Sequence, residues 1–239
     1  MKVENTSNQS CDKVKMIVYG RAGSGKTTLV KTLPGRSLVV SAESGLLPLR
    51  KSKIDYIDIT KDDDGRILPE ISRRGRLLEA YAWIIGEGGK GYDWIVLDSF
   101  SEICEIVVAE MRYKYDIVNK KERSYPMYQE VFHILRMIAK SFRDLPFNVM
   151  ITCLSEKDHL GEGKFFHSIF ANGRIKKALA GMFDLVLYLH APMSEERQLV
   201  CRENQFTESK DRTGKLEMVM PSDISLAINK IYEGEEKRV

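Results

Sequence analysis

Residues 20–28, GRAGSGKTT, have the residue types and spacing of a phosphate-binding turn. Gly20, Gly25, Lys26 and Thr27 fit the pattern G-x-x-x-x-G-K-[ST]. The apolar run KMIVYG precedes the turn and a helical pattern follows it, so the turn is expected to join a strand to the start of a helix. Glycines let backbone N–H groups wrap phosphate oxygens, and the positive end of the helix adds to the attraction. The pattern therefore predicts a nucleoside triphosphate site.

The whole turn is expected to contact the triphosphate. Its residues are Gly20, Arg21, Ala22, Gly23, Ser24, Gly25, Lys26, Thr27 and Thr28. Lys26 is expected to reach the β- and γ-phosphates, and the Thr27 hydroxyl to bind Mg²⁺. A second metal ligand is predicted at Asp98, which ends the apolar run WIVLD. A carboxylate at a strand tip beside the turn holds Mg²⁺ through water, whereas the alternative is a buried strand that ends in a capping Asp.

Other features separate ATP from GTP and indicate a general base. GTPases carry N-K-x-D after a strand, and CLSEKD (153–158) lacks the Asn, which favours ATP.

Ser99 follows Asp98 where helicase-like and AAA+ enzymes usually place a catalytic Glu. Glu43 ends the run SLVVSAE, one strand after the turn. A carboxylate there can face the γ-phosphate and orient the attacking water, so Glu43 is the predicted base.

The composition is that of an ordinary globular chain. It has 239 residues, 43% of them apolar and 30% charged, with a net charge of +3. This length suits one domain, expected over residues 14–232 between polar, disordered tails at 1–13 and 233–239. No run reaches the roughly 18–20 apolar residues of a membrane helix. The polar N-terminus resembles neither a signal peptide nor an anchor, so a cytoplasmic protein is expected.

Short apolar runs alternate with helical patterns, which predicts an α/β fold with a mostly parallel central sheet and helices on both faces. The predicted strands are 15–20, 37–42, 55–59, 93–98, 148–154 and 184–190. The predicted helices are 26–33, 71–86, 101–115, 127–144 and 172–181. The runs RQLVCREN and KLEMVMPS flank a turn-rich stretch, so we expect a C-terminal antiparallel hairpin.

Two segments carry a resemblance to a known family. VVSAESG resembles the strand-acid segment of the RecA superfamily, and IVLDSFSEI resembles its Asp-Ser version of the second motif. Over residues 14–222, the order of motifs resembles the small phage RecA-like ATPases of single-strand annealing and recombination, the Sak-four group. This resemblance implies a RecA-like core and a homo-oligomer, ring or filament, with ATP at subunit interfaces. It also implies single-stranded DNA, a single-strand binding protein as a possible partner, and the cytoplasm of a bacterial host.

The resemblance also implies roles for individual residues. ESKDRTGK (208–215) resembles the family segment that sends basic residues into the neighbouring subunit's ATP site, which makes Lys210 and Arg212 catalytic candidates. The alternative is a charged hairpin turn. NVMITCLSE occupies the place of the strand whose tip senses the γ-phosphate. Thr152 or Ser155 is the candidate sensor, and a buried core hydroxyl is the alternative.

Two basic segments match the positions of the DNA-binding loops of RecA-like proteins. Cations for the phosphate backbone and aromatic rings for base stacking are the ingredients of a single-strand binding surface. The first segment spans residues 112–125, and the second spans residues 156–177. The candidate contacts are Lys120, Lys121, Arg123, Lys157, Lys164, Phe165, Phe166, Arg174, Lys176 and Lys177. Phe166 and Phe170 also fit the apolar stripe of a helix, so that alternative stays open.

Three functions follow from these features. The first is a Mg²⁺-dependent ATPase that single-stranded DNA stimulates and that acts in recombination. The second is a nucleotide-gated annealing module in which hydrolysis is incidental. The third is a small-molecule kinase, which would need an arginine-rich lid. The nearest arginine cluster is Arg73, Arg74 and Arg76, at the expected start of a helix.

Overall fold

The computed structural model describes residues 13–116, 125–161, 164–192 and 196–234. Its strands are β1 (Lys15–Gly20), β2 (Ser37–Ser41), β3 (Asp55–Asp58), β4 (Trp94–Asp98), β5 (Asn148–Gly161), β6 (Lys164–Ile169), β7 (Leu185–His190), β8 (Gln198–Val200), β9 (Lys210–Asp211) and β10 (Val219–Pro221). Its α-helices are α1 (Lys26–Leu29), α2 (Arg73–Trp83), α3 (Phe100–Lys114), α4 (Tyr125–Arg143), α5 (Ile175–Met182) and α6 (Ile224–Ile231). The tails expected at 1–13 and 233–239 lie outside these ranges except for residues 13, 233 and 234.

The central sheet confirms the expected fold class. Its strand order is β10-β8-β7-β1-β5-β4-β2-β3. The strands from β7 to β3 in that order run parallel, whereas β8 pairs antiparallel with β7 and with β10. The C-terminal antiparallel pair is therefore the one predicted from the sequence. All the parallel strands end at the same edge, where their carboxyl ends meet.

Helices cover both faces of the sheet because most of its strands are apolar throughout. One face packs α2, α3, α4 and α5 over a core that includes Ile17, Val40 and Leu97. The other face packs α1 and α6 over a core that includes Val18, Val96 and Leu187. Neighbouring positions of one strand thus enter opposite cores, as a side-chain period of two requires.

Two parts of the fold go beyond the sequence prediction. The sequence predicts β5 to end near residue 154, but the strand continues to Gly161 and pairs antiparallel with β6 as a β-hairpin. Phe166 lies on β6, so the alternative of a helical stripe through Phe166 and Phe170 is wrong. Helix α6 was not predicted, although Asp223 caps its first turn by accepting a hydrogen bond from the Ser225 N–H. None of the described helices is long and apolar enough to cross a bilayer.

Helix α4 shows how an apolar stripe anchors an element to the core. Val131, Leu135 and Ile138 are at most 6% exposed, and Ile134 packs at the edge of the same cluster. Exposed positions, such as Met137 with 52% of its surface accessible, lie on the other side of the helix. The spacing of three and four residues therefore aligns one buried face, as the sequence pattern predicts.

We expect Leu135→Ala to lower the free energy of unfolding by about 2–5 kcal/mol, because the side chain is fully buried and its removal leaves a cavity. Met137→Ala, two residues away on the exposed face, is the matched control and should change stability by less than about 0.5 kcal/mol. Urea denaturation followed by circular dichroism measures both. Equal losses in the two variants would show that the stripe does not anchor the helix.

Candidate functional site

The phosphate-binding turn joins β1 to α1 at the carboxyl edge of the sheet, as predicted. Gly23 and Gly25 have φ angles of 75° and 101°, which residues with a Cβ rarely adopt. A Cβ on Gly20 would lie 2.8 Å from the carbonyl oxygen of Leu189 on β7. The glycines therefore permit a turn that packs closely against the neighbouring strand and leaves the backbone N–H groups at the start of α1 without helical acceptors.

Lys26 folds back over this turn. Its ammonium donates hydrogen bonds of 3.0 Å to the carbonyl oxygens of Gly20 and Arg21. Burial lowers the pKa of Lys26, while the nearby carboxylates of Asp98 and Glu43 act in the opposite direction. The turn thus holds a buried cation next to the N-terminus of a helix, which is an arrangement that attracts an anion.

Asp98 is the centre of a hydrogen-bonded chain. It is 6% exposed, and its Oδ2 accepts a hydrogen bond of 2.8 Å from the Thr27 hydroxyl. Its Oδ1 accepts a second hydrogen bond from the hydroxyl of Thr152, a fully buried residue of β5. The predicted metal ligands Thr27 and Asp98 are therefore adjacent, and the candidate sensor Thr152 contacts one of them. Ser155, the other candidate, lies further along β5 where the strand begins to pair with β6.

The donor set at this position fits Mg²⁺. A hydroxyl and a carboxylate oxygen are the protein ligands that Mg²⁺ takes beside nucleotide phosphates, which supply further oxygens. Among the described residues, no group of three or more His, Cys, Asp or Glu side chains is placed to hold a metal ion by itself. Thr27 and Asp98 would supply two oxygens to a metal ion, and nucleotide phosphates would supply others.

Glu43 lies just beyond β2, at the same edge of the sheet, and its side chain is exposed. The Ser99 hydroxyl donates a hydrogen bond to the Glu43 carboxylate. Ser99 Oγ also accepts the Glu102 N–H at 3.4 Å and so caps α3. Burial raises the pKa of the Glu102 carboxyl, and the charges of Glu43 and Glu70 raise it further.

Sequence reasoning noted Ser99 only as the replacement of a catalytic Glu and missed its contact with Glu43. A signal was present, since Ser99 and Glu102 have the S-x-x-E spacing of a helix capping box. That spacing indicates a serine at the first turn of a helix. The contact of its hydroxyl with Glu43, just beyond β2, follows only from the pairing of β2 with β4.

Lys210 and Arg212 lie away from the turn of their own chain. The Lys210 ammonium donates to the carbonyl oxygens of Ala180 and Phe183, at 2.8 and 2.6 Å. The Arg212 guanidinium binds the Asp184 carboxylate at 2.8 Å. Asp184 precedes β7, which runs parallel to β1, so these cations lie at the amino edge of the sheet. A catalytic role for them in a neighbouring subunit's site stays a prediction.

The second basic segment forms the β5–β6 hairpin and the start of α5. The Lys157 ammonium lies 3.4 Å from the centre of the Phe165 ring. Lys176 forms a salt bridge of 2.7 Å with Glu156, which neutralises part of the positive charge. Phe165 and Phe166 are half-buried.

The remaining candidates in this segment are solvent-exposed: Lys164, Arg174 and Lys177. Lys120, Lys121 and Arg123, from the first basic segment, lie outside the described residues. Contact with nucleic acid therefore stays a prediction for both segments.

One basic side chain near the turn was not predicted at all. The Arg197 guanidinium lies against Gly25, where an added Cβ would come within 2.4 Å of its Nη1 atom. Arg197 directly precedes β8 and is 172 positions from Gly25 in the sequence, so no local pattern relates the two residues. Its approach depends on the pairing of β8 with β7 beside β1.

A comparison with protein families agrees with this geometry. A profile of a family described as an AAA domain matches residues 12–213. The chain belongs to the AAA domain family. The family and the phosphate-binding turn together indicate a P-loop ATPase that binds and hydrolyses nucleotide. No curated protein matches the chain.

One solved structure similar to this AAA domain is described as a prototypical ATPase from the type III secretion system of pathogenic bacteria. The two share 15% sequence identity and superpose with a TM-score of 0.47. The match covers 74% of this chain and 52% of the other, so this chain spans about half the length of that protein.

We expect Gly25→Ala to weaken nucleotide binding by at least about tenfold, because a Cβ at φ 101° costs on the order of 1–3 kcal/mol and displaces Arg197. Gly75→Ala is the matched control, since Gly75 lies in α2 with no atom within 4 Å of the added Cβ. Titration with a fluorescent ATP analogue measures both affinities. Unchanged binding in Gly25→Ala would contradict the role of this glycine.

Proposed function

We propose that this AAA domain protein is a Mg²⁺-dependent ATPase that acts on single-stranded DNA in homologous recombination or strand annealing. The observation that carries the ATPase part is the cluster of Lys26, Thr27, Asp98 and Glu43 at one edge of the sheet. Lys26 and Thr27 follow β1, Asp98 ends β4 and bonds to Thr27, and the charge of Glu43, just beyond β2, acts on Lys26. The DNA part rests on the hairpin beside that cluster.

The cluster supports hydrolysis through complementary roles. Lys26 would exchange its two carbonyl partners for phosphate oxygens, which suit an ammonium better because they are charged. Thr27 and Asp98 would hold Mg²⁺, which would supply positive charge beside the phosphates. Glu43 would accept the proton of the attacking water, with its carboxylate oriented by Ser99. Thr152 would keep Asp98 in position.

The continuity of β5 supports a link between this chemistry and DNA. Thr152, which binds Asp98, and Lys157, on the hairpin, belong to the same strand. The partner of Asp98 and a basic residue of the hairpin are thus five positions apart on a single strand. The hairpin combines cations with the half-buried rings of Phe165 and Phe166, which suits phosphate contact and base stacking.

A homo-oligomer with ATP at its interfaces, as a ring or a filament, belongs to the same proposal. Lys210 and Arg212 lie at the edge of the sheet opposite their own turn, so only a neighbouring subunit's triphosphate is within their possible reach. Both are bonded within the chain, so a role in trans requires that they exchange those partners. We place the protein in the cytoplasm, with a single-strand binding protein as a further partner.

An annealing module with incidental hydrolysis is the second candidate, and the hairpin supports it equally well.

The small-molecule kinase has less support, because the arginines expected to form its lid are paired within the chain. Arg74 binds Glu110, and Arg76 binds Asp63 and Glu79. The Arg73 guanidinium lies 4.0 Å from Glu102. These contacts fasten the start of α2 to its surroundings.

We expect Glu43→Gln to lower the ATP turnover number by about 10²–10⁴-fold while leaving ATP affinity within a factor of about two, since an amide cannot accept the proton. The exposed Glu87→Gln is the matched control and should keep full turnover. Phosphate release and nucleotide binding are measured separately. Full turnover in Glu43→Gln would remove Glu43 as the base.

We expect single-stranded DNA to raise the ATP hydrolysis rate of the wild-type chain. Lys26→Ala should abolish hydrolysis, because the triphosphate loses its buried cation. Measuring strand annealing in the same variant separates the two candidates. If Lys26→Ala hydrolyses no ATP but anneals complementary strands at the wild-type rate, hydrolysis is incidental to annealing and the annealing module is correct. Loss of annealing in Lys26→Ala supports the first candidate.

A further inference from the structure

One basic group outside the predicted site lies directly on the phosphate-binding turn. A Cβ added to Gly25 would lie 2.4, 2.9 and 3.3 Å from the Nη1, Cζ and Nε atoms of Arg197. These three atoms belong to the guanidinium, so it is the charged group of Arg197 that covers this glycine. Arg197 is exposed as a whole, so the contact leaves the guanidinium accessible to a ligand.

The guanidinium of Arg197 has no acceptor in the part of the chain that the structure describes. Its side chain forms neither a hydrogen bond nor a salt bridge with any residue there. Arg202, beyond the other end of β8, instead donates to the Gly214 carbonyl oxygen at 2.9 Å. Arg197 thus brings an unpaired positive charge to a turn that already holds Lys26. Such a charge is stabilised when an anion comes within reach.

Sheet pairing fixes the position of Arg197. Gln198, the next residue, pairs with His190 of β7 and with Pro221 of β10. The Arg197 carbonyl oxygen accepts a hydrogen bond of 3.2 Å from the Ser222 N–H. Strand β7 lies beside β1, which leads into the turn. The backbone that carries the guanidinium is therefore held beside the turn before any ligand binds.

The strand order shows which part of a nucleotide Arg197 can reach. In the order β8-β7-β1-β5-β4-β2, Asp98 and Glu43 lie on one side of the turn and Arg197 lies on the other. The backbone N–H groups of such a turn bind the α- and β-phosphates, whereas its lysine reaches the β- and γ-phosphates. When the γ-phosphate faces Glu43, the α-phosphate end of the nucleotide extends toward β7 and β8. The guanidinium over Gly25 lies at that end.

We propose that Arg197 binds the α-phosphate of the nucleotide held by its own subunit. The inference rests on the proposed function, because ATP hydrolysis supplies the nucleotide. A guanidinium suits this position, since its planar fork of N–H donors matches two phosphate oxygens and its charge does not depend on pH. Hydrolysis breaks the bond to the γ-phosphate and leaves the α-phosphate unchanged. Arg197 therefore binds substrate and transition state alike and acts on affinity rather than on the chemical step.

Arg197→Gln should raise the KM for ATP about tenfold, the cost of losing one hydrogen bond to a charged group. The kcat should stay within a factor of about two, because the contact is equally strong in the ground state and the transition state. The affinity for ADP, measured with a fluorescent analogue, should also fall about tenfold, since ADP keeps the α-phosphate. Arg202→Gln removes another exposed arginine and is the matched control, which should behave like the wild type.

Inorganic tripolyphosphate is the second probe, because it has three phosphates without a ribose or a base. Its affinity is measured by competition with the fluorescent ADP analogue. Arg197→Gln should weaken tripolyphosphate binding about as much as ATP binding. If the variant binds tripolyphosphate like the wild type and ATP more weakly, Arg197 contacts the nucleoside and the inference is wrong.

Two other results would overturn the inference. Arg197→Gln that binds ATP and ADP as tightly as the wild type would show that the guanidinium does not contact the nucleotide. A large loss of kcat at unchanged KM would place Arg197 at the γ-phosphate instead. Both results leave the proposed ATPase intact, whereas a wild-type chain that neither binds nor hydrolyses ATP refutes the proposed function itself. Circular dichroism of the variant confirms that the exposed side chain is not needed for folding.

Discussion

The site depends on one buried carboxylate. Asp98 ends β4 with almost no contact with water, and a charge in that position is tolerated only if its oxygens are paired. Thr27 and Thr152 pair one oxygen each, and the Lys26 ammonium lies in the same neighbourhood. These contacts join three strand ends to one carboxylate. Thr27 on the turn and Thr152 on β5 are thereby held beside the end of β4.

The order of the strands makes this arrangement possible. Strand β5 lies between β1 and β4, so the central hydroxyl of the cluster comes from a strand that is late in the sequence. The same strand leaves the sheet and becomes one arm of the hairpin. One strand therefore connects Thr152, the partner of Asp98, with the basic surface at Lys157.

The two ends of the parallel strands carry different chemistry. At the carboxyl edge, glycine-rich backbone, Lys26 and Arg197 form a region that attracts anions. At the amino edge, Lys210 and Arg212 are held by carbonyl oxygens and by Asp184. In an assembly whose subunits stack edge to edge, the amino edge of one subunit would face the carboxyl edge of the next. This polarity gives the proposed oligomer a physical basis.

The sequence by itself determined the features that depend on neighbouring residues. The turn around Lys26, the apolar strands and the stripe of α4 are local patterns, since glycine freedom and side-chain periodicity act over a few positions. The tertiary structure alone decided which strand ends meet. It brought Thr152 to Asp98, Ser99 to Glu43 and Arg197 to Gly25. These contacts join residues up to 172 positions apart, and they arise from sheet pairing that no local pattern encodes.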